Sequence, residues 1–274
     1  RDHRILLAEM REDRATGRIA DRVGPPAAVV GNRARQATQA GRRLPREESA
    51  DLVLPAVDRA AAPLLKFDDL GKVFHQHGVD IHALVGVSAA IWPGETLGLV
   101  GESGSGKTTL ARTLLGIIGP TSGAVELEGR ALAPRFQKRT TDDLRSIQIV
   151  FQNPDSALNR RHAARRILAR SMKKLIGVSG AEADARVSDL ADRVRITERT
   201  LTQKPVQLSG GLKQRVAIAR AFAGDPKLVV CDEPTSALDV SVQAAILKML
   251  VDLQTTNRTS YVFISHDLGA VSYL

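Results

Sequence analysis

Gly101-Glu102-Ser103-Gly104-Ser105-Gly106-Lys107-Thr108 stands between an apolar run, Thr96-Leu97-Gly98-Leu99-Val100, and a segment of helical character, Thr108-Thr109-Leu110-Ala111-Arg112-Thr113-Leu114-Leu115. The octet fits the spacing G-x-x-x-x-G-K-[ST] in the strand, loop, helix context that this spacing requires. Glycines let the backbone close around a phosphate, and the free N–H groups of the loop and helix start supply partial positive charge. Lys107 is placed to reach β- and γ-phosphates, and the Thr108 hydroxyl to hold Mg²⁺. Gly101, Ser103, Gly104, Ser105, Gly106 and Thr109 complete the expected cradle.

Working outward, apolar strands are expected at IQIVF (147 to 151), KLVVCD (227 to 232) and SYVFIS (260 to 265). Helical segments separate them near 163 to 177, 182 to 194, 210 to 223 and 241 to 255. Buried strands alternating with helices indicate an α/β domain with a mainly parallel sheet. Before the loop, LLKFDDL and HALVGVSAAI read as short strands. Residues 1 to about 65 hold twelve Arg and no Phe, Tyr, Trp or Lys, a composition poor in core-forming residues. They read as a linker or mobile segment, or the tail of an upstream domain, with a short helix at Arg4 to Met10.

Two further stretches carry chemistry. The strand Leu228-Val229-Val230-Cys231 runs into Asp232-Glu233. Successive strand residues point to opposite sides, but at a strand end the chain can turn both carboxylates toward one site. Asp232 is suited to Mg²⁺, and Glu233 to polarising an attacking water. Leu208-Ser209-Gly210-Gly211-Leu212-Lys213-Gln214-Arg215 opens a helix with Ser209 as its cap and two glycines exposing backbone N–H groups. This is a second anion-binding terminus, which makes sense if it serves a nucleotide held by a partner.

LSGG-x-x-QR, lying between those two phosphate-handling motifs, resembles the signature of the ATP-binding-cassette superfamily. Phe151-Gln152 in IVFQNP resembles the family's Q-loop, Ser236-Ala237-Leu238-Asp239 its D-loop, and Ile264-Ser265-His266-Asp267 its switch-histidine loop. Phe74 lies where the family keeps an aromatic that stacks on adenine. The resemblance covers residues 66 to 274. It implies a P-loop NTPase fold: a RecA-like core with an antiparallel β portion, and a helical lobe inserted at about 153 to 216. It further implies that Gln152 senses metal and γ-phosphate, and that His266 contacts the γ-phosphate. Ser209, Gly210 and Gly211 would close over ATP on an opposing cassette, with Asp239 lining that interface.

The strings FQNPDSALN, PVQLSGGLKQRVAIARA and VVCDEPTSALDVSVQAAIL resemble the dipeptide/oligopeptide importer ATPases, whose relatives import nickel or glutathione. That implies an ATP- and Mg²⁺-dependent energy-coupling subunit at the cytoplasmic face of the membrane. Its partners would be a second cassette, membrane permease subunits and, indirectly, a solute-binding protein, with no nucleic acid. Two departures stand out. Leu212 replaces a polar Gln, and Arg160 to Arg166 is unusually basic, RRHAARR. The interval from Gln152 to Ser209 is too short for a coiled-coil arm.

Composition bounds the rest. A single cysteine, Cys231, excludes a disulfide framework and a multi-cysteine zinc site. No apolar run is long enough to span a membrane. A net charge of +9 and a pI near 10.1 suit an anionic surface, and leave one alternative from another class: a soluble ATPase acting on nucleic acid or ribosomes. The plainer reading of that charge is an arginine-rich genome. Starting at Arg1 and stopping inside the helical stretch His266 to Leu274, the sequence reads as a piece of a longer protein, truncated at its C-terminus.

Overall fold

The computed structural model describes residues 5–7, 57–76 and 78–274. Chain order runs β1 (Ile5–Leu7), β2 (Leu65–Gln76), β3 (Val79–Ile91), β4 (Thr96–Val100), α1 (Lys107–Leu114), β5 (Ser122–Leu127), β6 (Arg130–Ala131) and α2 (Thr141–Ser146). It continues with β7 (Ile147–Val150), α3 (Ala164–Ile176), α4 (Gly180–Arg193), α5 (Glu198–Thr202), α6 (Gly210–Phe222), β8 (Leu228–Asp232), α7 (Val240–Asn257), β9 (Ser260–Ile264) and α8 (Leu268–Tyr273).

Two sheets result. One is parallel, in the order β1-β4-β9-β8-β7; the other is antiparallel, in the order β3-β2-β5-β6. The strands expected at 147 to 151, 227 to 232 and 260 to 265 are β7, β8 and β9 of the parallel sheet, β7 at its edge, and the four expected long helices appear within a few residues of their predicted bounds. At the N-terminus the outcome differs. Ile5–Leu7 pairs as a parallel strand with Gly98–Val100 rather than forming part of a helix. The free edge of β4 offers unpaired N–H and C=O groups to an extended segment, and a lone turn of helix has no such partner. The rest of that predicted helix lies outside the described residues.

The continuous apolar runs follow from filling the parallel sheet on both faces. Val229, Cys231, Tyr261 and Phe263 pack on one side with α6 and α7. Leu228, Val230, Val262 and Ile264 pack on the other, with Leu110, Ala111 and Leu114 of α1 and Phe67 of β2. Every residue of β9 is buried. Tyr261, buried in this layer, donates its hydroxyl to the Leu250 carbonyl at 2.7 Å, so its one polar atom is satisfied. Cys231 is buried as well, and burial followed by the adjacent Asp232 charge pushes its thiol up, which leaves it an inert core residue.

Residues ahead of β2 are tied to this body. Arg59 reaches Glu95 at 3.3 Å and lies 5.6 Å from the centre of the Trp92 ring, whose Nε1–H donates to the Ala61 carbonyl at 3.1 Å. The antiparallel sheet depends on an irregularity in β2: its pairing with β5 slips between Asp68 and Gly71, where Asp69 takes a positive φ of 49°. Gly123 faces this bulge with φ 78°, and a Cβ there would sit 2.4 Å from the Asp68 and Asp69 carbonyl oxygens. Gly123→Ala is therefore expected to lower unfolding free energy by about 2 kcal/mol in urea denaturation, since backbone has to move to admit the methyl group. An unchanged midpoint would mean the bulge is softer than its geometry implies.

Candidate active site

The loop from Gly101 to Gly106 joins the C-terminal end of β4 to α1. Its two sharpest bends, Gly104 (φ 88°) and Gly106 (φ 89°), use the left-handed conformation that side-chain-bearing residues avoid. Gly106 is the residue capping α1. Lys107 folds back into the loop, donating from Nζ to the Gly101 carbonyl at 2.8 Å, the Glu102 carbonyl at 2.6 Å and Ser105 Oγ at 3.1 Å. Burial holds its ammonium below the ordinary lysine value, opposed by the charges of Glu233 and then Asp232. Thr108 Oγ1 donates to Asp232 Oδ1 at 3.5 Å.

Asp232 ends β8, and the next residue turns the chain. Glu233 has φ 48°, a left-handed conformation that costs a non-glycine residue about 1 kcal/mol or more, held here by its N–H bond to the Ile264 carbonyl at 3.0 Å. That turn brings consecutive carboxylates to one side of the sheet. Both oxygens of Glu233 are engaged. His266 Nε2 lies 2.6 Å from Oε1, and Gln152 Nε2 donates to Oε2 at 2.9 Å. The other ring nitrogen of His266 lies 3.1 Å from the Gly101 carbonyl, and Gln152 also donates to Ser236 Oγ at 3.3 Å.

A cleft of about 140 Å³ is lined by Ser103, Gly104, Gly106, Lys107, Thr108, Thr109, Glu233 and His266. Six of the predicted chemical groups, Lys107, Thr108, Asp232, Glu233, Gln152 and His266, thus meet in or beside one concave site. Others lie elsewhere. Ser209 caps α6, accepting from the Leu212 N–H at 3.4 Å, and Gly210 and Gly211 begin that helix, but none of the three lines the cleft. A Cβ on Gly211 would meet Val242 Cγ1 at 2.8 Å, so this glycine also lets α6 approach α7. Asp239 is exposed at the start of α7 without a capping bond. Phe74, half-buried opposite Ile81, carries the Lys72 ammonium 5.1 Å from its ring centre and is outside the cleft lining.

The donor set suits a hard cation. Thr108 and Asp232 present oxygens to each other across the loop, and no group of three His, Cys, Asp or Glu among the described residues could hold a metal by itself. Mg²⁺ fits such a pair because it is ordinarily held by one or two protein oxygens, with phosphate oxygens and water filling the other positions. Gln152, predicted to reach the metal, is instead bonded to Glu233 and Ser236. Sequence reading also missed Arg112, one turn into α1, whose charge acts on Asp232.

A family model described as ABC transporter matches residues 84–236. The chain belongs to the ABC transporter family. It is 41% identical over 196 residues to the oligopeptide transport ATP-binding protein OppF of Streptococcus mutans, covering 71% of this chain and 63% of that protein. It is 39% identical over 214 residues to the di/tripeptide transport ATP-binding protein DppF of Pseudomonas aeruginosa, covering 78% and 66%. The chain thus spans a little under two thirds of the length of these curated relatives. The dimeric structure of MJ0796, a bacterial ABC transporter cassette, superposes with a TM-score of 0.69 at 30% identity, covering 76% of this chain and 90% of that one. The MJ0796 cassette bound to ADP and Pi, in a dimeric post-hydrolysis state, gives a TM-score of 0.67.

Asp232 carries a measurable consequence. Burial, then the Glu233 charge, raise its carboxyl above the ordinary value, against the opposing pull of Arg112, Thr108 and Lys107. The fold therefore binds this proton more readily than the unfolded chain. Asp232 favours the native state at low pH, and that contribution is lost as pH rises through the raised value. Asp232→Asn is expected to raise the melting temperature of the ligand-free protein at neutral pH, and to narrow the gap from wild type as the pH is lowered. A lower melting temperature at neutral pH would show that ionised Asp232 is a net stabiliser.

Proposed function

We propose that this chain is the ATP-hydrolysing, energy-coupling subunit of an importer for di- or oligopeptides, working at the cytoplasmic face of a membrane. The observation that carries the proposal is the placement of Glu233, held between His266 and Gln152, beside a glycine loop containing Lys107. The peptide-import names of the relatives support the substrate class. No described helix is long and apolar enough to cross a membrane, so the solute path belongs to partner permease subunits, with a solute-binding protein contributing indirectly.

In this reading the N–H groups of Ser103 to Thr109 and the Lys107 ammonium bind the β- and γ-phosphates. Thr108 and Asp232 would hold Mg²⁺, which supplies charge neutralisation on the phosphate oxygens. Glu233 orients the attacking water and accepts its proton. For that, at least one of its two present hydrogen bonds has to give way to the water. Gln152 and His266, both held against Glu233, then contact the γ-phosphate. Phe74 stacks on the base. Ser209, Gly210 and Gly211 serve ATP on an opposing cassette, with Asp239 at the shared interface. Residues 66 to 274 form the cassette, with a helical lobe at about 153 to 216.

Three substitutions separate these roles. Lys107→Ala is expected to weaken ATP binding on the order of 100-fold, since buried charge-assisted bonds to phosphate are lost. Glu233→Gln should keep ATP binding, accumulate the dimer and lower steady-state phosphate release by about 10²-fold or more. Ser209→Arg should block turnover while sparing nucleotide affinity, because its own cleft is untouched. Normal turnover by purified Glu233→Gln protein would remove Glu233 as the base, and loss of ATP binding by Ser209→Arg would remove the role across the dimer.

A further inference from the structure

The basic run beginning at Arg160 divides in two once α3 forms. Arg165 turns toward the neighbouring helices, where it bonds Glu198 at 2.5 Å and lies 3.6 Å from Asp184. Arg160 lies 3.8 Å from Asp155. Arg166, Arg170 and Lys173 do neither. Spaced i, i+4 and i+7, they form one ridge opposite the face that buries Ala164, Ile167, Leu168 and Met172. All three are exposed, and none has a carboxylate partner among the described residues. Lys174 is exposed on the flank of the same ridge.

This arrangement works against the helix that carries it. The first turn of α3 contains Arg165 and Arg166 and no acidic residue, so cations sit at the positive end of the helix dipole. Arg166 and Arg170, four residues apart, repel each other at the helical spacing where opposite charges would attract. One turn earlier, His162 Nε2 lies 3.4 Å from Arg170 Nη1. Desolvation, then the Arg166 and Arg170 charges, hold that imidazole below its ordinary value, a local sign of the field this ridge creates. Arg165, on the same helix, has its compensation within the fold. The ridge does not.

We infer that Arg166, Arg170 and Lys173 form a docking ridge for the phosphate headgroups of an anionic lipid surface. The ridge extends over about 10 Å of helix axis and offers charge alone. No large exposed hydrophobic residue lies on α3: among the described residues these are Val79, Ile81, Val85, Ile117, Phe136, Val206, Val240, Leu268 and Tyr273. A protein segment would ordinarily require an apolar anchor, and a single-stranded nucleic acid an aromatic platform. Headgroup phosphates require neither. The inference rests on the reading that this chain works at a membrane, and places α3, downstream of Gln152, on the side that faces it.

The test is sedimentation of the whole chain with vesicles of phosphatidylcholine mixed with phosphatidylglycerol, against phosphatidylcholine alone. Each basic residue near such a surface is worth about 1 kcal/mol, roughly fivefold, so R166Q/R170Q/K173Q should weaken binding to the mixed vesicles on the order of 100-fold. R165Q, which alters the inward-facing charge, should leave that binding nearly unchanged. Thermal melting shows that each variant is folded. Equal binding by the triple variant, or an equal loss in R165Q, overturns the ridge. So does a duplex DNA that binds more tightly than the vesicles and is lost in the triple variant, since the ridge would then be a nucleic-acid surface. Wild-type protein that binds mixed vesicles through the ridge but lacks ATP turnover would sink the catalytic proposal and leave the lipid surface standing.

Discussion

Parallel pairing in register is the constraint on which the rest of the molecule depends. Leu99 lies opposite Ile264, Ile264 opposite Asp232, and Cys231 opposite Val150. Four strands consequently end along one edge of the sheet, and each hands its next residues to the same region. β4 delivers the glycine loop, β7 delivers Gln152, β8 delivers Glu233 and β9 delivers His266. In open parallel sheets the crevice beyond the strand carboxyl ends is where ligands bind, and here it gathers residues far apart in sequence. A shift of β8 by one residue would separate Glu233 from both of its partners.

The strands can hold that register because the sheet is packed on both faces. Alternate residues of β8 and β9 belong to different apolar layers, one under α6 and α7, the other under α1 and the antiparallel sheet. A register slip would exchange the two sets and disturb both layers together. The same requirement explains why nothing polar interrupts Leu228 to Cys231, and why both hydroxyls of β9 are bonded to carbonyls, Tyr261 to Leu250 and Ser260 to Trp92.

Much of this was legible in the sequence because the deciding residues are local patterns. The glycine loop, the apolar strand ending in two carboxylates and the capped Ser209 helix each announce themselves within about ten residues. Other elements lacked such a signal. β5 and β6, in Ser122 to Ala131, carry two glycines and two glutamates and are strands because β2 lies beside them, not because they alternate. α2 and α5 are too short for an apolar period to show. The bond between Gln152 and Glu233 joins residues 81 apart, and the influence of Arg112 on Asp232 crosses from helix to strand. No spacing rule reports either, since both arise from strand order. The helix expected at Arg4 to Met10 failed for a related reason: an open strand edge, invisible in a local window, gave Ile5–Leu7 a partner.

Gln152 has a further mechanical meaning. It is the second residue after β7 in a stretch that runs through Asn153 to Ala163 into α3, and its amide is anchored on Glu233 and Ser236. One short tether therefore links the position of a whole helix to a single carboxylate oxygen. A hydrogen bond of this charge-assisted kind contributes about 1.5 to 3 kcal/mol, small beside the burial that holds α3 together. Both bonds are donated by the one Nε2, so any displacement of Gln152 releases Glu233 and Ser236 together.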